Sequence, residues 1–211
     1  MTATRTDDRY TAAREELRSA ELALMQQREA VAELRRSLPA GPVADDYVFA
    51  SPTGDVRLSE LFTAPDRALV LYHFMYGKAQ EQPCPMCSMW TDGWNAITDH
   101  LGDRLDFAMV SAAPIDDTMQ LVESRGWTNL RWLSTNASSF KVDIGGENVD
   151  GNQWPFLSVW ELVDGQPRLT YSGGANIDGD NWRGVDLLSP VWHFQDLTPQ
   201  GRGDWFPSLT Y

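Results

Sequence analysis

The run Ala68-Leu69-Val70-Leu71-Tyr72-His73-Phe74-Met75-Tyr76 leads through a loop, Gly77 to Pro83, into Cys84-Pro85-Met86-Cys87-Ser88-Met89-Trp90. An apolar and aromatic stretch broken only by His73 has the pattern of a central strand covered on both faces. Beyond the loop, Ser88 to Leu101 carries Trp90, Trp94 and Ile97 at helical spacing. The chain's only two cysteines therefore stand where a strand gives way to a helix.

Downstream, Leu105 to Val110 reads as a second strand, Asp116 to Ser124 as a helix and Leu130 to Leu133 as a third strand. Consecutive β-α-β-α-β predicts a parallel sheet with right-handed crossovers, hence an α/β fold. Phe156 to Leu162 and Arg168 to Tyr171, joined across Asp164-Gly165, predict a hairpin at the other edge of the sheet. Val185 to Phe194 predicts a last helix that Pro190 kinks or divides. Upstream, Tyr47 to Ala50 and Val56 to Leu58 flank the turn Pro52-Thr53-Gly54 as a small hairpin, and Ser59 is placed to cap a short helix at Glu60 to Phe62.

The Pro/Gly break from Pro39 to Val43 separates this domain, residues 41–211, from a helical segment, residues 1–40. Asp7 to about Leu38 has no Gly or Pro, and Leu17, Leu24, Val31 and Leu38 recur at heptad spacing. The stripe packs on its own domain or pairs with a second copy as a homodimer, while the charged residues on the other faces form a solvated surface.

With 211 residues, 42% of them hydrophobic, and nine tryptophans, the chain can bury one full core. A net charge of −13 opposes nucleic acid and anionic membrane as partners. Met1 to Asp8 lacks the basic and apolar regions of a secretory signal, and no stretch reaches the roughly 20 apolar residues of a membrane span. The expected location is the cytoplasm.

Two cysteines three positions apart close too small a loop to staple a fold, which leaves reactivity or metal binding as their use. At a strand-to-helix junction, Cys84 sits at the helix N-terminus, where unpaired amides and the helix dipole favour a thiolate. Cys87 lies one turn in, placed to resolve a mixed disulfide. Pro85 suits the first helical turn. His73 can serve these thiols as a base, a charge partner or a metal ligand, or be a core histidine bonded to a backbone carbonyl. His193 is a further candidate ligand, and His100 a surface residue. Two thiolates with one or two imidazoles would suit copper or zinc; Met75, Met86 and Met89 favour copper, although methionine beside aromatics also reads as packing. Lys78 in the loop can favour a thiolate or simply be solvated. Trp90, with Pro155 and Lys78, can line a substrate pocket, while most tryptophans in so rich a chain must be core.

The stretch Asp46 to Arg202 resembles the thioredoxin-like family known as domain of unknown function 899. The resemblance is carried by Asp46-Tyr47-Val48-Phe49, Tyr72-His73-Phe74-Met75-Tyr76-Gly77, Cys84-Pro85-Met86-Cys87-Ser88 with Trp90, and Asp196-Leu197-Thr198-Pro199 with Gly201-Arg202. The long helix ending at Leu38-Pro39 is similar too. It implies a thioredoxin-like fold, a central mixed sheet flanked by helices, with Pro155 before its strand where such folds place a cis-proline facing the cysteines. The family assigns no reaction.

Three functional readings stay open. The first is a thiol-dependent oxidoreductase on a small-molecule or thiol substrate, with Cys84 as nucleophile and Cys87 resolving. The second is a mononuclear metal enzyme or carrier, copper before zinc, with Cys84, Cys87, His73 and possible fourth ligand His193. The third is a non-catalytic module that dimerises through the N-terminal helix.

Overall fold

The structure, a computed structural model, describes residues 8–39, 41–177, 184–201 and 203–210; Asp7 and Arg202 of the readings above lie outside them. It forms two compact units, residues 1–39 and 40–211. The first is the helix α1 (Asp8–Arg36), whose 29 residues include no buried side chain. Leu17 and Leu24 of the heptad stripe are 46% and 52% exposed.

In the second unit, seven strands among the described residues form one sheet in the order β2-β1-β5-β4-β3-β6-β7. They are β1 (Val48–Ser51), β2 (Gly54–Arg57), β3 (Ala68–Phe74), β4 (Leu105–Ser111), β5 (Arg131–Ser134), β6 (Phe156–Val163) and β7 (Gln166–Gly174). The parallel trio β3, β4 and β5 is connected by α2 (Pro85–Gly102) and α3 (Ile115–Arg125), as the β-α-β-α-β pattern predicts. On the far side of β3, β6 and β7 form the antiparallel hairpin, its turn made by Asp164 and Gly165 at φ 52° and 76°. A further turn, α4 (Phe140–Asp143), has no signal in sequence periodicity because it is only four residues long. The C-terminal helix is divided as Pro190 requires: a 3₁₀ turn spans Asp186–Leu188 and α5 spans Val191–Asp196 with Pro190 as its cap. The short helix after β2 starts earlier than expected, as a 3₁₀ turn at Leu58–Leu61. Ser59 does not cap it; its amide and hydroxyl donate to Asp46 at 2.8 and 2.9 Å. No helix among the described residues is long and apolar enough to cross a membrane.

The period of two along β3 divides the core. Tyr72 and Phe74 join Met109, Trp132 and Leu157 on one face, beneath Met86, Cys87, Trp90 and Trp94 of α2. Leu69 and Leu71 join Ala108, Val110, Leu133 and Trp160 on the other, beneath Phe49, Leu58, Leu61 and Phe140. Each buried Leu, Val, Phe or Met side chain among these contributes about 1.5–3 kcal/mol, so β3 is held from both sides up to the loop that follows.

Candidate active site

Past Phe74, the backbone groups of the chain no longer meet neighbouring strands in ladder register, and each must find another partner. The Met75 carbonyl accepts from the Cys84 amide at 3.1 Å, and the Tyr76 carbonyl from the Ala112 amide at 3.1 Å. Gly77 and Gln80 exchange both backbone bonds, at 2.7 and 3.0 Å, closing a tight turn. Gln153 adds a donor to the Gly77 carbonyl at 2.8 Å, and Lys141 one to the Phe74 carbonyl at 3.0 Å. These bonds bring the chain back so that Cys84 caps α2 and Pro85 occupies its first turn.

Cys84 is half-buried, Cys87 wholly buried, and both are free thiols. The Cys84 thiol is lowered from 9.0 to about 7, chiefly because the Cys87 thiol donates to it; burial opposes the shift, and the Cys87 and Met86 amides at the helix start add to it. Burial pushes the Cys87 thiol well up, and the adjoining Cys84 reinforces this, against donation from Tyr72 and the Met75 amide. The Tyr72 hydroxyl lies 3.1 Å from the Cys87 sulfur. The pair is thus asymmetric: a partly exposed thiol lowered toward neutrality and a buried thiol raised well above its ordinary value.

That asymmetry predicts a pH profile. Alkylation of Cys84 by iodoacetamide should rise through an inflection near pH 7, falling about tenfold per pH unit below it. In Cys87→Ala, which removes the donating thiol, the inflection should move upward. An inflection left unmoved in Cys87→Ala, or one near 9 in wild type, would contradict the assigned cause.

His73 is not part of this arrangement. It follows Tyr72 in an extended strand, so its ring projects from the opposite face. There it stacks on Phe140 (centroids 5.5 Å apart), meets Phe156 edge-on, and places Nε2 3.0 Å from Ser158 Oγ. Burial, aided by the charge of Lys141, drives its pKa well down and keeps the imidazole neutral. His193 Nε2 lies 3.1 Å from the Asp186 carbonyl, so it too is engaged elsewhere. Among the described residues no group of three His, Cys, Asp or Glu side chains is assembled to hold a metal. The donor set expected for copper or zinc therefore does not form, because strand alternation separates His73 from the thiols. His100 is exposed at the end of α2, as read from the sequence.

The expected pocket residues divide similarly. Trp90 is 1% exposed and packed among Tyr72, Trp94 and Trp192; it is wall rather than opening. The peptide before Pro155 is trans, not cis. Pro155 does line an open groove, with Trp154, Phe156, Gly145 and Ala175 to Asn176, and register places it beyond the His73–Phe156 pair, at the end of β3 from which the cysteine loop departs. Lys78 is neither free nor directed at the thiols: its ammonium pairs with the buried Glu147 carboxylate at 2.6 Å.

Sequence reading missed Tyr72 as a thiol partner, and missed Lys141, Gln153 and Glu147 altogether. Lys141 is 1% exposed, with its ammonium on the Phe74 carbonyl and the Gln153 side-chain oxygen. One signal was present: in a chain that otherwise uses arginine, Lys78 and Lys141 are the only lysines, and both come to this loop.

The family of bacterial proteins of unknown function, DUF899, matches residues 1–210. A comparison with curated proteins finds no match. Among solved structures, the chain is similar to peroxidoxin BcpB from Mycobacterium tuberculosis, with a TM-score of 0.53 and 16% identity over 72% of this chain and 94% of that one. It is also similar to reduced Prx3 from Vibrio vulnificus in complex with H₂O₂, with a TM-score of 0.52 and 17% identity over 72% of this chain and 97% of that one. These likenesses concern the fold, and they bear out the thioredoxin-like architecture implied by the motifs.

Proposed function

We propose, for a chain that belongs to the DUF899 family of bacterial proteins, a thiol-dependent redox activity in which Cys84 attacks an oxidised substrate and Cys87 resolves the product. The observation that carries this reading is the opposed tuning of two thiols in contact, one accessible and lowered to about 7, the other buried and raised.

With a disulfide as substrate, the Cys84 thiolate attacks one sulfur, the substrate S–S bond breaks, and one substrate thiolate leaves. The Cys87 thiol then gives up its proton to solvent or to that leaving thiolate, and its sulfur attacks Cys84. The second substrate thiolate departs, and the protein is left as the Cys84–Cys87 disulfide. The substrate gains two electrons and the protein loses two; an external thiol restores the dithiol. A hydroperoxide would enter the same cycle: Cys84 takes the terminal oxygen, becomes a sulfenic acid and releases an alcohol or water, and Cys87 condenses with it to expel water. Support for this second oxidant is the likeness in fold to the Prx3 structure holding H₂O₂.

Trapping distinguishes the steps. Cys87→Ser treated with glutathione disulfide should accumulate a glutathione adduct on Cys84, seen by intact mass and peptide mapping. Wild type should pass through it and end as the internal disulfide, lighter by two hydrogens. Treatment with H₂O₂ in place of the disulfide should leave a sulfenic acid on Cys84 if hydroperoxides are the better substrate. No modification of Cys84 by either oxidant, with wild type remaining a dithiol, would overturn the reading.

A further inference from the structure

Resolution poses a difficulty that the dithiol alone does not answer. Cys87 must become a thiolate to attack, yet it is wholly buried, and desolvation resists that charge. Among the described residues, the groups that hydrogen-bond its sulfur are the Tyr72 hydroxyl at 3.1 Å, the Cys84 thiol and the Met75 amide, none of which carries a positive charge.

A charge lies one peptide away. The Met75 amide that faces Cys87 belongs to the same peptide unit as the Phe74 carbonyl, to which the buried Lys141 ammonium donates at 3.0 Å. In a trans peptide the C=O and N–H point in opposite directions, so Lys141 and Cys87 sit at the two ends of one dipole. A cation at the oxygen draws electron density along the peptide and makes the N–H a stronger donor. The remaining Lys141 contacts hold it in place: Gln153 accepts from its ammonium and donates onward to Gly77, fixing the lysine to the cysteine loop.

We propose that Lys141 is a positioning residue for the resolving step, polarising the Phe74–Met75 peptide so that its amide stabilises the Cys87 thiolate.

This inference rests on the thiol-redox reading and specifies how the second thiol is activated. The charged and titratable groups around Lys141 are few: His73 from β3, Lys78 from the loop after it, Cys87 from α2 and Glu147 from the segment before Gln153. Asp143, on the same turn, is engaged instead by Tyr47 and Ser139. Burial lowers Lys141 from 10.5 to about 7, with Lys78 contributing in the same direction and Glu147 and Cys87 opposing. The ammonium is thus present below about pH 7 and lost above it. In wild type the logarithm of the resolution rate should rise with pH as Cys87 ionises, and then flatten above about 7 as the helping charge disappears.

Reduced protein mixed with 5,5′-dithiobis(2-nitrobenzoate) provides the test, because it releases one thionitrobenzoate when Cys84 attacks and a second when Cys87 displaces the one bound to Cys84. Lys141→Met should slow the second release about tenfold relative to the first at pH 6.5 and remove the flattening near pH 7. Lys141→Arg, which restores a permanent cation, should recover most of that loss and also lack the flattening. A second phase in Lys141→Met with wild-type rate and profile overturns the proposal. So does an arginine variant, folded by circular dichroism, that is as slow as the methionine one, since the lysine would then be only a packing element. If wild type itself shows no second release, it is the resolving role of Cys87 that fails, and this inference falls with it. A missing first release would instead remove Cys84 as nucleophile.

Discussion

Cys84→Ser should lower kcat/KM for disulfide or hydroperoxide reduction by at least about 10³-fold while leaving the fold intact. A serine hydroxyl does not ionise near neutrality, and its oxygen cannot form the sulfur–sulfur bond through which electrons pass. The position tolerates the change structurally because Cys84 is half-buried at a helix cap, where serine is a favoured residue, and its backbone bond to Met75 is retained. The melting temperature should therefore stay close to wild type, which separates loss of chemistry from loss of structure. Cys87→Ser should behave differently, retaining the first attack and losing release. Turnover in Cys84→Ser within tenfold of wild type would place the chemistry elsewhere.

The second large effect concerns stability. Gly77 adopts φ 93°, and a β-carbon built on it would lie 2.2 Å from the Ala113 nitrogen and 2.4 Å from its α-carbon. Both obstacles are backbone, and they are anchored: the Ala112 amide bonds Tyr76, the Ala113 amide bonds Ser111 Oγ, and Ala112 and Ala113 are 0% and 2% exposed. Gly77→Ala thus incurs about 1–3 kcal/mol of backbone strain and a further ~1–3 kcal/mol of overpacking. Against a total stability of about 5–15 kcal/mol, the melting temperature should fall by roughly 4–24 °C. Gly93→Ala is the control, since that glycine lies within α2 with nothing inside 4 Å of an added β-carbon. It should be neutral or stabilising by up to about 1 kcal/mol in the same thermal melt. Equal melting points for the two variants would show that the loop and the end of β4 can separate without cost. The Gly77 variant should also weaken Cys84 reactivity, because Met75 and Tyr76, whose carbonyls hold the loop, adjoin the clash.

The central strand, the parallel crossovers, the hairpin around Asp164-Gly165 and the division at Pro190 were all legible because each is written in short-range pattern: a period of two or 3.6, a turn dipeptide, a missing N–H. The placement of Cys84 and Cys87 at a helix start was legible for the same reason. The partners of those thiols were not. An alternating strand labels its faces by contrast between polar and apolar residues, whereas β3 is covered on both sides and Tyr72-His73 offers no such contrast. His73 attracted attention as the more reactive type, yet the tyrosine faces the cysteine helix.

By itself, then, the sequence determined the fold class and the position of a dithiol at the end of a doubly buried strand. Only the tertiary structure decided which face of β3 meets that dithiol, and that Lys141, 67 residues beyond Phe74, supplies the donor for its carbonyl. The physical reason is that strand and helix starts follow from bonds within a few residues. The pairing of a buried ammonium with a strand end follows instead from which layers pack together, and from the need to give every buried polar group a partner.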